Sequence, residues 1–221
     1  MEERYSRNIG PLTEDEVRSL RTKKVLVAGC GGLGGHIIEM LLRVGIGGIA
    51  AADGDVFDET NLNRQLLSAP SLVGKSKAAA AADRAAYVNP DVRFTAVTEF
   101  ITEGNVTELI SGCDAVLDAL DSVPARKLLA TACEKAGVPL IHGAISGWTA
   151  QAALSLPGDG LMVRLYPEDT LSGSNGTLAF TPALCASLQT ALCVKYLCGR
   201  EVEPGKLYCF DLLTMDYIEI E

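Results

Sequence analysis

The glycine cluster Gly29-Cys30-Gly31-Gly32-Leu33-Gly34-Gly35 constrains this chain more than any other segment. It follows a short apolar run, Lys24-Val25-Leu26-Val27-Ala28. It precedes Ile37, Ile38, Leu41, Leu42 and Val44, which recur near helical spacing until Gly45. Strand, glycine turn and helix in that order open a βαβ unit. Gly29, Gly31 and Gly34 fit the G-x-G-x-x-G spacing, in which glycines permit tight turning and let phosphates reach the helix N-terminus. A second apolar run, 49–52, ends at Asp53, about 20 residues on, where a carboxylate accepts a hydrogen bond from a ribose hydroxyl. The segment predicts nucleotide binding without naming the nucleotide.

The alternation continues downstream. Residues 73–87 are alanine-rich and read as a helix closed by Asn89-Pro90; 93–99 alternate like a strand, and 105–110 form a short helix. Residues 115–120 are a buried strand ending in acids, 124–136 a helix stopped by Gly137, and 139–142 another strand. The expected fold is α/β: a doubly wound, mostly parallel, Rossmann-like sheet with helices on both faces, binding ligands outside the carboxyl ends of its strands. The polar opening to Thr22 is an arm with one short helix, capped by Thr13 ahead of Glu16. From Gly147 the pattern changes. Residues 149–156 and 161–166 read as paired strands around Pro157-Gly158-Asp159-Gly160, and 169–177 as a mobile crossover. Residues 182–197 read as an apolar helix, and 206–212 with 217–220 as closing strands, giving a C-terminal antiparallel extension. With no repeat and no linker, a length of 221 residues is taken as one domain.

Composition narrows the partners. A formal charge of −9 argues against a nucleic-acid groove, which needs a cationic field. No apolar run approaches the roughly 18 residues of a membrane span. Met1-Glu2-Glu3-Arg4-Tyr5 lacks the apolar core of a signal peptide. Seven cysteines, an odd number scattered through apolar stretches, fit free thiols in a reducing compartment, so a cytoplasmic location is expected.

Three polar segments bear on the nucleotide: Asp53-Gly54-Asp55, Asn61-Leu62-Asn63-Arg64-Gln65, and Val73-Gly74-Lys75-Ser76-Lys77. A nicotinamide pocket has no need of these cations, whereas a polyphosphate does, because charge on the transferring phosphorus and the leaving pyrophosphate must be stabilised. Arg64 and one of Lys75 or Lys77 suit that task. Asp118-Ala119-Leu120-Asp121-Ser122, at a strand's carboxyl end, offers a Mg²⁺ ligand. Its alternative reading is that Asp118 caps a turn and Asp121 caps the following helix.

Taken together with Arg4-Tyr5-Ser6-Arg7, Asn89-Pro90 and Leu117-Asp118-Ala119-Leu120-Asp121, these motifs resemble the ThiF/MoeB/HesA family, bacterial relatives of ubiquitin-activating enzymes. The resemblance runs from Arg4 to about Tyr217. It implies an ATP-dependent adenylyltransferase acting on the C-terminal glycine carboxylate of a ubiquitin-like sulfur-carrier protein ending in Gly-Gly. The products would be an acyl-adenylate and pyrophosphate, in thiamine or molybdopterin/tungstopterin-type cofactor synthesis. By position, Gly29, Gly31, Gly32 and Gly34 with Asp53, Asp55, Asn61, Arg64 and Lys77 would bind ATP, and Asp121 would hold Mg²⁺. Arg64, Lys77 and Asp121 would serve catalysis together with Arg7, which matches the family's arginine that reaches the partner subunit's site and so implies a homodimer. On this reading residues 1–221 are a single adenylation domain: an arm and helix (1–22), a nucleotide-binding half (23–146) and a carrier-binding and dimer half (147–221).

The chain departs from the resemblance in three places. Many relatives hold a structural zinc on two C-x-x-C pairs; none exists here, and Pro167-Glu168-Asp169-Thr170 stands at the first, so a zinc-less member is expected. The run Ser172-Gly173-Ser174-Asn175-Gly176 has no cysteine where some relatives handle sulfur, and Cys185, Cys193 and Cys198 are expected to be buried on their helix. Ser122 replaces an Asn common after the Mg²⁺ aspartate. Of the remaining candidates, His36 is read as packing in its helix, His142 as lining the cleft, Trp148 as core with a carrier-binding surface as the alternative, and Phe180-Thr181-Pro182 as a guide for the carrier's tail. Two other functions fit the same scaffold: a tRNA threonylcarbamoyladenosine dehydratase-like enzyme, and a non-catalytic nucleotide-binding scaffold.

Overall fold

The computed structural model describes residues 3–167 and 176–220. Its parallel half begins with α1 (Glu14–Leu20), β1 (Lys24–Ala28), α2 (Gly32–Val44), β2 (Gly48–Ala52), α3 (Lys77–Val88) and β3 (Arg93–Val97). It continues through α4 (Val106–Ile110), β4 (Ala115–Asp118), α5 (Val123–Ala136) and β5 (Leu140–Ser146). β6 (Thr149–Ser155), α6 (Leu161–Leu165), α7 (Phe180–Leu197), β7 (Leu207–Asp211) and β8 (Asp216–Ile220) complete the chain. All eight strands form one sheet in the order β3-β2-β1-β4-β5-β6-β7-β8. The first five are parallel and the last three antiparallel.

The alternation of side chains along β1 explains the two-faced packing. Val25 and Val27 point to the face covered by α2, α3 and α7, while Leu26 and Ala28 point to the face covered by α4 and α5. All four are fully buried. Strand order reverses between β1 and β4, and this switch point opens a crevice at their carboxyl ends.

Local signals set most boundaries. Thr13 caps α1 in a reciprocal box with Glu16, and Gly45 and Gly137 end α2 and α5 with left-handed φ values of 89° and 70°. The helix expected over 73–87 starts only at Lys77: Gly74 turns with φ 81° and the Ser76 hydroxyl caps the Ala79 N–H. The strand expected at 161–166 is instead the helix α6. Asp159 accepts from the Leu156 and Leu161 N–H groups and from the Ser155 hydroxyl, and Gly160 takes φ 66°, which turns the chain out of the sheet. No edge of β6 was left for it, since β5 and β7 pair along both sides. Of the crossover read at 169–177, only Gly176 and Thr177 fall within the described residues.

Candidate nucleotide site

The turn after β1 is built on close backbone approach. Gly29 has φ 100°, and a Cβ there would stand 2.6 Å from the Ala119 carbonyl oxygen, in the loop after β4. The α2 N-terminus at Gly31 has no side-chain cap, so its first N–H groups face the crevice as an anion site. At Gly31 and Gly32 a Cβ would meet only ordinary contacts of 3.5 Å, to Gln65 Nε2 and to Pro182.

A cavity of about 570 Å³ occupies this crevice. Of the residues singled out in the sequence, Gly29, Gly31, Gly32, Asp53, Asp55, Arg64, Lys77 and Asp121 line it together. The Asp53 carboxylate accepts from Cys30 N–H at 2.7 Å and Asp55 N–H at 2.8 Å, which ties β2 to the glycine turn. Burial raises the Asp53 carboxyl above its usual range against these bonds and the Lys77 charge. Lys77, 8% exposed, places Nζ 3.2 Å from Asp55 Oδ2. The Arg64 guanidinium is braced by the Thr60 carbonyl at 2.8 Å and Asn63 Oδ1 at 2.9 Å.

Three predicted positions lie off the lining. Gly34 is buried inside α2, where it allows contact with the turn. Asn61 is buried and accepts from Asp58 N–H at 3.1 Å, and its carbonyl holds the N–H groups of Arg64 and Gln65; it shapes the loop that aims them. Arg7 sits exposed in a 3₁₀ turn, Glu3–Asn8, whose Asn8 donates to the Val44 carbonyl at the far end of α2. With a rise of about 1.5 Å per residue, α2 keeps Arg7 roughly 20 Å from the cavity of its own protomer.

The acidic loop divides its two aspartates. Asp118 is fully buried, with Arg126 Nη1 at 2.8 Å, His142 Nδ1 at 2.9 Å and the Leu120 N–H at 3.0 Å, so its oxygens are already occupied. Burial alone would raise its pKa, but Arg126 and the His142 bond outweigh that and hold the carboxyl low. It does cap a turn, as one reading had it, but the cap of α5 is Ser122, through Ala125 N–H, and not Asp121. Asp121 is exposed on the cavity wall. His142, expected to line the cleft, is instead fully buried against Asp118.

Gln65 and Arg126, which were given no role in the sequence, also line the cavity. Gln65 Oε1 is buried without a partner, an orphan that a bound polar ligand would satisfy. Arg126 shares the inward face of α5 with Leu129, Ala132 and Cys133, and a cation on a buried stripe is the signal for an acidic partner.

The uncapped helix end, Arg64 and Lys77 suit a polyphosphate, and Asp53 suits a ribose. Among the described residues no three His, Cys, Asp or Glu side chains converge on a point. Mg²⁺ takes one or two carboxylates with phosphate oxygens and water, so Asp121 fits it jointly with a bound polyphosphate. Glu168, Asp169 and Thr170, which bear on the expected absence of zinc, and 172–175 of the Cys-free run lie outside the described residues. Cys185 and Cys193 are fully buried and their thiols are pushed up to about 12 by burial, while Cys198 is half-buried. His36 is half-buried in α2. Trp148 is not core: it is 40% exposed, with the ring of Phe180 5.1 Å away. No helix among the described residues is long and apolar enough to cross a membrane.

Residues 5–221 match the model of the ThiF family. The chain is 36% identical to the SAMP-activating enzyme E1 of Haloferax volcanii, over 97% of this chain and 83% of that protein. It is 30% identical to the molybdopterin-synthase adenylyltransferase of Escherichia coli, over 94% of this chain and 86% of that protein. In fold it resembles E. coli MccB crystallised with ATP, with a TM-score of 0.86 at 21% identity, over 100% of this chain and 71% of that one.

Proposed function

Because the chain belongs to the ThiF family, we propose that it is an adenylyltransferase that activates the C-terminal glycine carboxylate of a ubiquitin-like sulfur-carrier protein with ATP, in thiamine or molybdopterin/tungstopterin-type cofactor synthesis. The observation that carries this reading is the convergence of Arg64, Lys77, Asp53 and Asp121 around the open N-terminus of α2 in one cavity.

The geometry supports a division of labour. Asp53 accepts from the ribose hydroxyls with the lone pairs its two backbone bonds leave. The α2 N-terminus and the Gly29–Gly32 backbone receive phosphate oxygens, with Gly31 and Gly32 leaving the approach open. Arg64 and Lys77 offset the repulsion between two anions, the carrier's carboxylate and the triphosphate. The carboxylate oxygen attacks the α-phosphorus, the bond from that phosphorus to the bridging oxygen breaks, and pyrophosphate leaves. A carboxylate is already a nucleophile at neutral pH, so no side chain need act as base. Asp121 would hold Mg²⁺, which neutralises charge on the leaving pyrophosphate when bound.

Arg7 cannot reach this cavity from its own arm, which favours a homodimer in which each Arg7 serves the other protomer's site. The exposed Trp148 packs on Phe180 and follows Gly147, which bridges to Thr177 on the cavity wall, and the two rings fit a surface over which the carrier's tail enters. The decisive experiment is exchange of labelled pyrophosphate into ATP. It is expected only with a carrier ending in Gly-Gly; absence of exchange with carriers of both pathway types overturns the reading.

A further inference from the structure

We propose that His142 is a positioning residue for adenylation: it fixes the Asp118–Arg126 pair, which in turn holds the backbone that presents Asp121. The proposal rests on the adenylation reading above. Leu120, the residue before Asp121, is gripped on both sides. Its N–H donates to Asp118 Oδ1 at 3.0 Å, and its carbonyl accepts from Arg126 Nη2. Arg126 reaches that carbonyl from a fixed place, since Nη1 donates to the Gly143 carbonyl at 2.6 Å and to Asp118 Oδ2 at 2.8 Å.

Asp118 Oδ2 takes a second donor, His142 Nδ1, at 2.9 Å. Arg126 has no acceptor atom, so its 3.3 Å approach to His142 Nδ1 is two donors meeting at one carboxylate. His142 therefore carries its proton on Nδ1 and turns Nε2, an acceptor, toward the Tyr166 hydroxyl at 3.2 Å. Asp118 and His142 are 0% exposed and Arg126 7%, so water has little access to replace a lost partner. Without the imidazole N–H, Oδ2 keeps only Arg126 Nη1, the carboxylate is less firmly oriented, and its Oδ1 bond to Leu120 is weakened. A buried ion pair of this kind contributes little net stability compared with apolar packing; what it supplies is one geometry.

Two variants separate this role from packing. His142→Asn keeps an N–H near the Nδ1 position, whereas His142→Gln moves it toward Nε2. In nucleotide-free protein, His142→Gln is expected to speed hydrogen exchange of the Leu120 amide about tenfold while the Val116 and Leu117 amides of β4 stay protected. In carrier-dependent pyrophosphate exchange it is expected to lower kcat about tenfold with KM for ATP within about twofold. Binding of Mn²⁺ to the ATP-bound protein, read by electron paramagnetic resonance, is expected to weaken in parallel. His142→Asn should restore all three. Arg126→Lys, which keeps a charge beside Asp118 but loses the fork onto Leu120, is the second loss variant and carries the same expectation. Unchanged Leu120 exchange, a loss of protection shared by all of β4, or failure of Asn to restore it overturns the proposal. Wild-type protein inert toward every carrier overturns the adenylation reading instead, and the Leu120 amide still decides the positioning role.

Discussion

A Cβ built on Gly34 would stand 1.8 Å from the carbonyl oxygen of Gly29, so the first turn of α2 is pressed against the turn that feeds it. The Cβ position is fixed by the backbone and the oxygen belongs to it, so no side-chain rotation relieves the clash. Gly34→Ala is expected to cost about 3 kcal/mol or more, and so to lower Tm by roughly 6–12 °C in a domain of this size. Gly31→Ala, facing only Gln65 Nε2 at 3.5 Å, should keep wild-type stability and instead weaken ATP binding. Thermal melts and ATP titrations of the two variants test whether the glycines divide in this way between fold and ligand.

Tyr5 and Asn89 fasten the arm that bears Arg7. Asn89 Nδ2 donates to the Tyr5 hydroxyl at 2.7 Å and to the Leu42 carbonyl at 2.8 Å, and both side chains are 2% exposed. Asn89→Ala leaves these two acceptors buried and unpaired, at about 1–3 kcal/mol. Proteolysis within residues 3–8 should accelerate in that variant more than cleavage elsewhere. Equal acceleration throughout the chain would mean the bond stabilises the domain and not the arm.

The middle of the sheet was legible because β1, β2 and β4 are short apolar runs ended by glycine or acid, and burial on both faces demands that composition, whereas the edge strand β3 showed as an alternation. The cavity was legible where its lining is unusual in the sequence, as at Gly29–Gly32 and Lys77. Residues 161–166 were misread because Val163 and Tyr166 suit a strand by composition, although Leu161 and Leu165 stand one helical turn apart. What decides them is Asp159, whose side chain binds neighbouring groups only once the turn exists. Asp118, Arg126 and His142 gave no joint signal, since they come together only through the pairing of β4 with β5 and the packing of α5. Trp148 misled in the opposite direction, an aromatic left at the surface beside Phe180.

The same buried cluster gives stability a direction with pH. Burial lowers the His142 pKa, with Arg126 helping and Asp118 opposing. For Asp118 burial works upward, but Arg126 and His142 outweigh it and the carboxyl is held low. In both cases the unfolded chain binds protons more readily than the fold, so acid favours unfolding. The His142 contribution is complete above its ordinary value of 6.5 and is lost as pH falls through its lower folded value. That of Asp118 is complete above 3.8 and is lost below it. Urea midpoints from about pH 8 to about pH 5 should therefore decline, and His142→Asn should flatten the decline. An unchanged slope in the variant would assign the acid sensitivity to other groups.

Arg7 offers the sharpest test of the proposed dimer. Its turn is pinned at the Val44 end of α2, while the cavity opens at Gly31, and a helix of this length separates them by roughly 20 Å. An arginine side chain spans only about a third of that distance, so on the proposed reading Arg7 would serve the site of a second copy. Arg7→Ala and Asp121→Ala should each lower carrier-dependent pyrophosphate exchange by at least about 10²-fold. In a heterodimer of the two, one cavity combines the intact Asp121 of the first protomer with the intact Arg7 of the second, and the other cavity lacks both. Random assortment makes half of the dimers mixed, and half of their sites whole, so an equimolar co-refolded mixture should recover about one quarter of wild-type activity. Doubly tagged, purified heterodimers should recover about one half by the same count. If Arg7 acts within its own chain or not at all, mixing yields no more than the sum of the two variants, and the arginine's place in the site must be withdrawn.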